Sequence, residues 1–206
     1  MTSGGTRHGH EQLLLAGERL IAERGPDVAL RDIALAAGQR NNSAVHYHFG
    51  SRDGLIVGIV ERRQAGLDQQ RMSMLADIAT GETEPVGLPA LVRVLVEPMF
   101  TVPYAQGSTH YARFLDRVRT HPEVLTAQRL DRWPATDKLA RLLHAEMRDL
   151  PPDERVHRLT GTTSALFALL ADYEATHAGD PAAMDPDRQR SIIAMTTGML
   201  GYRADE

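Results

Sequence analysis

The sequence holds no cysteine, one tryptophan and a single lysine, Lys138, among 206 residues. Without cysteine there is no disulfide, no thiolate metal site and no cysteine nucleophile. Apolar runs approaching the roughly 18 residues of a membrane span are absent, and the opening MTSGGTRHGHEQ lacks the apolar centre of a signal peptide. The expected location is therefore the cytoplasm. Gly-rich phosphate loops, nucleophile elbows and H-E-x-x-H are also missing. What remains is ordinary: 42% hydrophobic and 24% charged residues on a chain long enough to bury a sizeable core.

A formal charge of −4 argues against a general nucleic-acid coat, but the charge is unevenly spread. Residues 1–63 carry eight arginines and seven acids, a net of +1, while residues 64–206 carry 15 basic and 20 acidic residues, a net of −5. A mildly basic front on an acidic rear suits a DNA-facing head on an acidic body.

The apolar periodicity is helical throughout. Leu13, Ala16, Gly17, Leu20 and Ile21 form one stripe that Gly25-Pro26 ends. A short second helix is predicted over Leu30 to Ala37, closed by Gly38, and a third over Asn42 to His48, closed by Gly50. Ser51 then caps a long helix carrying Leu55, Ile56, Ile59 and Val60 toward Ile78. Further helices are expected near 88–100, 108–119, 122–148, 153–177 and 186–202, with breaks at Pro103, Gly107, Pro122, Pro151-Pro152, Gly179 and Pro186. The predicted fold is all-α, with about nine helices. A three-helix head, residues 8–55, shares the long fourth helix with a larger helical body, residues 56–206.

Residues 30–55 are the informative stretch. A short helix, a turn at Gly38 and a second short helix opening in polar residues have helix-turn-helix spacing. In that motif the start of the second helix faces base edges in the major groove. Gln39, Arg40, Asn41, Asn42 and Ser43 occupy those positions. Gln and Asn can bond adenine, Arg can bond guanine, and Ser adapts to either. His46, Tyr47 and His48 offer phosphate or sugar contacts, and Phe49 is expected to pack back into the head.

At Ile33-Ala34, Ala37-Gly38, Tyr47-His48-Phe49 and Ser51-Arg52-Asp53-Gly54-Leu55 the chain resembles the TetR family of bacterial transcriptional regulators, over about residues 10–63. The pattern departs from the family in four places. Ala29 stands where a phosphate-touching Thr is usual, the stretch from Gly38 to Phe49 is one residue longer, Ser43 replaces a Gly, and His46 replaces a Tyr. Arg31 and Arg52 match positions where the family often places phosphate-binding basic residues, and Arg52 is the favoured one, since it sits at a helix start beside the recognition element.

The resemblance implies a ligand-responsive repressor, a homodimer whose two heads read a palindrome with half-sites about 34–36 Å apart. It also implies that the last two helices pair with their copies as a four-helix bundle. Suitable stripes are Leu159, Thr163, Leu166 and Leu170 on one helix and Ile192, Met195, Thr196 and Met199 on the other. A small apolar or aromatic effector is expected among the middle helices, with candidates Leu95, Met99, Phe100, Tyr104, Tyr111, Phe114, Trp133, Leu143 and Phe167. Trp133-Pro134 marks irregular backbone there. No cofactor, metal, membrane partner or enzymatic activity is expected.

Two other readings compete. Glu154–His157 and Glu174–His177 match the Glu-x-x-His spacing of di-metal helical-bundle enzymes. They sit 20 residues apart on one predicted helix, roughly 30 Å at 1.5 Å per residue, so they cannot share a cluster within one subunit. His8-Gly-His10 and His46-x-His48 lack a third nearby ligand. A constitutive architectural DNA-binder would not need so large an acidic body.

Overall fold

The computed structural model describes residues 3–39, 41, 43–80, 87–127, 132–177 and 184–202, and the described residues form helices with no strand. The head comprises α1 (Ser3–Arg24), α2 (Leu30–Ala36) and α3 (Ala44–Phe49), followed by the long α4 (Arg52–Thr80). The predicted stripe on α1 is the buried one: Leu13, Ala16, Leu20 and Ile21 turn inward, and Gly17 lets Leu55 and Ile59 of α4 close over it.

At 29 residues α4 is about 44 Å long. Leu55, Ile56, Ile59 and Val60 serve the head, whereas Leu67 and Leu75 serve the body. It packs on α1 and α3 and, in the rest of the chain, against the helical segments at 88–105, 122–127 and 134–146. The buried apolar cluster runs without interruption from Leu13 to Leu200. Head and body are thus held by one rod and one continuous core.

The body consists of α5 (Leu88–Val96), a 3₁₀ turn (Glu97–Phe100), α6 (Val102–Ala105), α7 (Tyr111–Val118), α8 (Pro122–Ala127), α9 (Pro134–Glu146), α10 (Pro152–His177) and α11 (Pro186–Gly201). Two of the expected helical segments are broken, the second where Trp133-Pro134 marked irregular backbone. The 88–100 segment leaves α-geometry after Val96 because Pro98 has no amide hydrogen to extend the ladder. The 122–148 segment is divided by Trp133-Pro134, with Pro134 at the first turn of α9, where its missing donor costs nothing.

Contrary to the expectation of no such run, residues 88–105, with a mean hydropathy of 1.2 over 18 residues, are by length and composition apolar enough to cross a membrane. They form three short pieces. Leu91, Val92, Val94, Val96, Met99 and Phe100 lie in the protein core.

Candidate nucleic-acid interface

Ile33 and Ala34 of α2 and Ala44 and Val45 of α3 are the buried contacts of the helix-turn-helix. The turn between them depends on Gly38 at φ +70°, a conformation that L side chains rarely adopt. With Ala44 and Val45 inward, the next residues His46 and Tyr47 are left outward, and Tyr47 is 77% exposed. Its ring meets the edge of His48 at 4.9 Å.

The second helix of the motif, α3, begins at Ala44, two residues later than the spacing predicts. The Asn41 side chain accepts the Ser43 amide at 2.9 Å, a local turn that competes with the helix. Asn41 and Ser43 therefore stand exposed just ahead of α3 rather than in its first turn. Gln39 is half-buried, its amide lying against Gly9 of α1. Arg40 and Asn42 lie outside the described residues.

The two flanking arginines differ. Arg52 is half-buried and donates to the carbonyls of Pro26 and Val28, closing the α1–α2 loop. Arg31 is open, its side chain 77% exposed and beside Asp32 at 3.5 Å. Ala29 caps α2 without any side-chain bond, as its lack of a hydroxyl requires. His46 Nδ1 is 3.0 Å from the Gly50 carbonyl.

Phe49 does turn back into the head, its ring 4.6 Å from His10 and against Gly58 of α4. The chain can reverse so sharply because residue 54 is glycine: a Cβ there would fall 2.0 Å from the Phe49 carbonyl oxygen. His48 lies 5.7 Å from His10, ring to ring, a pairing with no sequence signal. Burial, and then the neighbouring His10, hold the His48 imidazole below its usual pKa.

Where α4 passes from head to body, Arg63 is fully buried. Its Nε donates to Glu18 of α1 at 2.7 Å and its Nη1 to Gln106 Oε1 at 3.0 Å, while Glu18 also accepts from Ser108. A cavity of about 260 Å³ opens beside this clamp, lined by Gln12, Glu18, Arg19, Ser108 and His110 among others. Sequence reasoning missed Arg63 and the similarly buried Arg71. The available signal was that both fall on the apolar stripe of α4, four residues to either side of Leu67.

Of the nine effector candidates, Met99, Phe100, Tyr111, Phe114 and Leu143 are buried, while Leu95, Tyr104, Trp133 and Phe167 are half-buried. Tyr111 and Phe114 stack at 6.1 Å. Tyr104 has its phenol pushed up to about 12, first by burial and then by Glu174.

The eight residues of the expected dimer stripes fall into two groups. Leu166, Leu170, Ile192 and Thr196 are buried inside the protomer, where α10 and α11 pack on each other and on α7 and α5. The protomer's own core covers those four. Leu159, Thr163 and Met199 are half-buried, and Met195 is exposed. The outward face carries instead Val156, Gly161 and Ala168 on α10 and Ala194, Met195 and Gly198 on α11.

The Glu-x-x-His carboxylates have structural partners. Glu174 is buried and caps α7, accepting from the Ala112 and Arg113 amides at 2.9 and 3.0 Å and from Arg113 Nε at 3.2 Å. Burial raises its pKa against these bonds. Glu154 pairs with Arg158 one turn on.

Residues 13–59 match the family model for bacterial regulatory proteins of the tetR family. Among solved structures, the fold is similar to a Mesorhizobium loti protein described as a tetR-family transcriptional regulator, with 16% identity, a TM-score of 0.52, and 95% of this chain and 96% of that one covered. A transcriptional regulator from Rhodococcus sp. Rha1 is 21% identical over 93% of this chain and 95% of its own, with a TM-score of 0.48. A TetR-family regulator from Streptomyces coelicolor is 21% identical over 98% and 99%, with a TM-score of 0.43. No curated protein matches the chain.

Proposed function

We infer the function from one premise: through its head, residues 13–59, this chain belongs to the tetR family of bacterial regulatory proteins, and it is a DNA-binding transcriptional regulator. It acts as a repressor in the cytoplasm, binding a palindromic operator as a homodimer and released by a small effector. The DNA-binding unit is residues 8–55 and the effector and dimer unit is residues 56–206. The observation that carries the reading is the outward set on and just before α3: Asn41, Ser43, His46 and Tyr47 are exposed beside a buried Ala44-Val45 pair. Asn41 and Ser43, with Gln39, Arg40 and Asn42, read base edges. Tyr47, His46 and His48 hold phosphate or sugar, and Arg31 supplies the open cation. Arg52 works indirectly, by fixing the loop that presents α2.

Dimerisation uses the outward face of α10 and α11, where Gly161 and Gly198 have nothing within 4 Å of a built Cβ and allow close helix approach. A ligand in the body acts by favouring a conformation in which α4 carries the two recognition helices out of groove spacing. It must bind the two states unequally to do so.

Two results are expected. Tyr47→Ala should weaken specific DNA binding by about tenfold or more, the scale of one lost charge-assisted contact, with the Tm unchanged because the ring is exposed. Gel-shift and thermal unfolding measure both, and unaltered specific binding removes Tyr47 from the interface. His48 is held below its usual pKa, so it is neutral at pH 7 and gains a proton on meeting a phosphate. DNA affinity should therefore rise as the pH falls through and below 6.5, by at most about tenfold per pH unit for one proton taken up. The dependence should flatten in His48→Gln. Fluorescence anisotropy across pH 5.5–8 measures it.

A further inference from the structure

The recognition helix α3 has six residues, too few to hold a helix on their own. Its buried side chains, Ala44 and Val45, are small, and it packs on α2 and α4. The first helix, α1, reaches it in another way, through two consecutive residues. Gly9 is buried, and a Cβ there would stand 3.2 Å from Gln39 Nε2, so the Gln39 side chain lies on helix surface that a glycine leaves bare, just ahead of α3. His10, the next residue, meets the far end of α3.

The half-buried His10 ring lies 4.6 Å from that of Phe49, tilted by 33°, and 5.7 Å from that of His48, steeply inclined at 75°. His48 in turn meets the Tyr47 ring at 4.9 Å and 85°. All three separations fall where ring pairs attract each other. A row of rings, His10, His48 and Tyr47, therefore runs from α1 to the exposed Tyr47. Phe49 also lies against Gly58 of α4, where a Cβ would stand 3.2 Å from its ring. The space beside these rings is open, a cavity of about 640 Å³ lined by His10, Leu14, His48, Phe49 and Gly58 among others. Removing the His10 ring therefore widens an existing gap at the end of α3.

We propose that His10 is a positioning residue for DNA binding: it touches no DNA and sets, through His48 and Phe49, where Tyr47 and the start of α3 meet the duplex. The proposal rests on the reading of α3 as the element that meets the operator. Hydrogen bonds to base edges and phosphates weaken steeply with misalignment. A short helix loosened at one end therefore loses specific affinity although every contacting side chain is still present.

The test compares the full chain with His10→Phe, which keeps a ring and removes its nitrogens, and with His10→Ala, which keeps neither. Fluorescence anisotropy on an operator selected from a random pool gives affinity over a range of salt. Hydrogen exchange read by mass spectrometry follows residues 44–50 without DNA. In His10→Ala operator affinity should fall about three- to tenfold, the scale of one aromatic pair, and residues 44–50 should exchange faster by a similar factor. His10→Phe should restore both. The slope of affinity against salt should match the parent's in each variant, because no phosphate contact has been removed.

Loss of affinity in both variants overturns the proposal, and a shallower salt slope would then make His10 itself a phosphate contact. Unchanged affinity or unchanged exchange in His10→Ala overturns it too. If His10→Ala does not fold, His10→Gln, which also lacks the ring, takes its place with the same expectations. A parent that selects no operator removes the reading of α3 rather than the brace, since exchange at residues 44–50 still decides whether His10 holds that helix.

Discussion

Arg63→Met is expected to destabilise the protein by about 3–5 kcal/mol, the cost of leaving a buried charge without its partner. For a chain of this size that corresponds to a fall in Tm on the order of 10 °C. The reason lies in what Arg63 leaves behind. Glu18 is 3% exposed, and without the guanidinium only Ser108 would remain bonded to its carboxylate. The effect should be much smaller when both charges go, as in Glu18→Leu with Arg63→Met, since an apolar pair of similar volume avoids desolvating either ion. A double-mutant cycle by chemical denaturation measures the coupling. Equal Tm values for the single substitution and the parent would show that the clamp holds nothing. The clamp ties α1, α4 and the 106–108 loop together, so the double variant also asks whether the head needs it to stay in register with the body.

Gly198→Arg is expected to produce a monomer whose operator affinity is lower by about 10²–10⁴-fold, the range by which linking two sites raises avidity. Gly198 faces outward on α11, and a Cβ there meets nothing in the protomer, so the substitution leaves the fold free to form. Arg is also a better helix former than Gly, by several tenths of a kcal/mol. The loss would therefore arise from the partner surface alone. Ultracentrifugation reports the mass, and the dependence of Tm on protein concentration seen in a dimer should vanish. A variant that stays dimeric and binds its operator unchanged would place the interface elsewhere.

Helix type and the order of short helices before the long α4 were legible from periodicity and from the Gly38 and Gly50 turns, because those signals are local. The exceptions are equally physical. Pro98 separates α5 from the 3₁₀ turn because a proline removes one ladder bond, although the flanking residues keep helical spacing. The start of α3 moved because one Asn41 side chain bonded one amide.

Burial partners were less legible. The stripe through Leu166 and Leu170 was visible, but periodicity cannot say whether a partner protomer or α7 covers it. Arg63 and Arg71 were overlooked because a charge on an apolar stripe looks like an interruption, whereas each has partners 24 to 65 positions away, beside Gln64 on the same helix for Arg71. From sequence Arg52, at a helix start beside the recognition element, is the favoured phosphate contact over Arg31, yet the carbonyls of Pro26 and Val28 occupy it and Arg31 is the open one.

Selection of bound sequences from a random DNA pool tests the central claim most directly. The expected result is enrichment of a palindrome with half-sites about 34–36 Å centre to centre, near one helical turn. Binding to it should weaken steeply with added salt. Enrichment of a single unrepeated site, or binding that tolerates any sequence, would contradict the assignment of this chain as a dimeric, sequence-specific regulator.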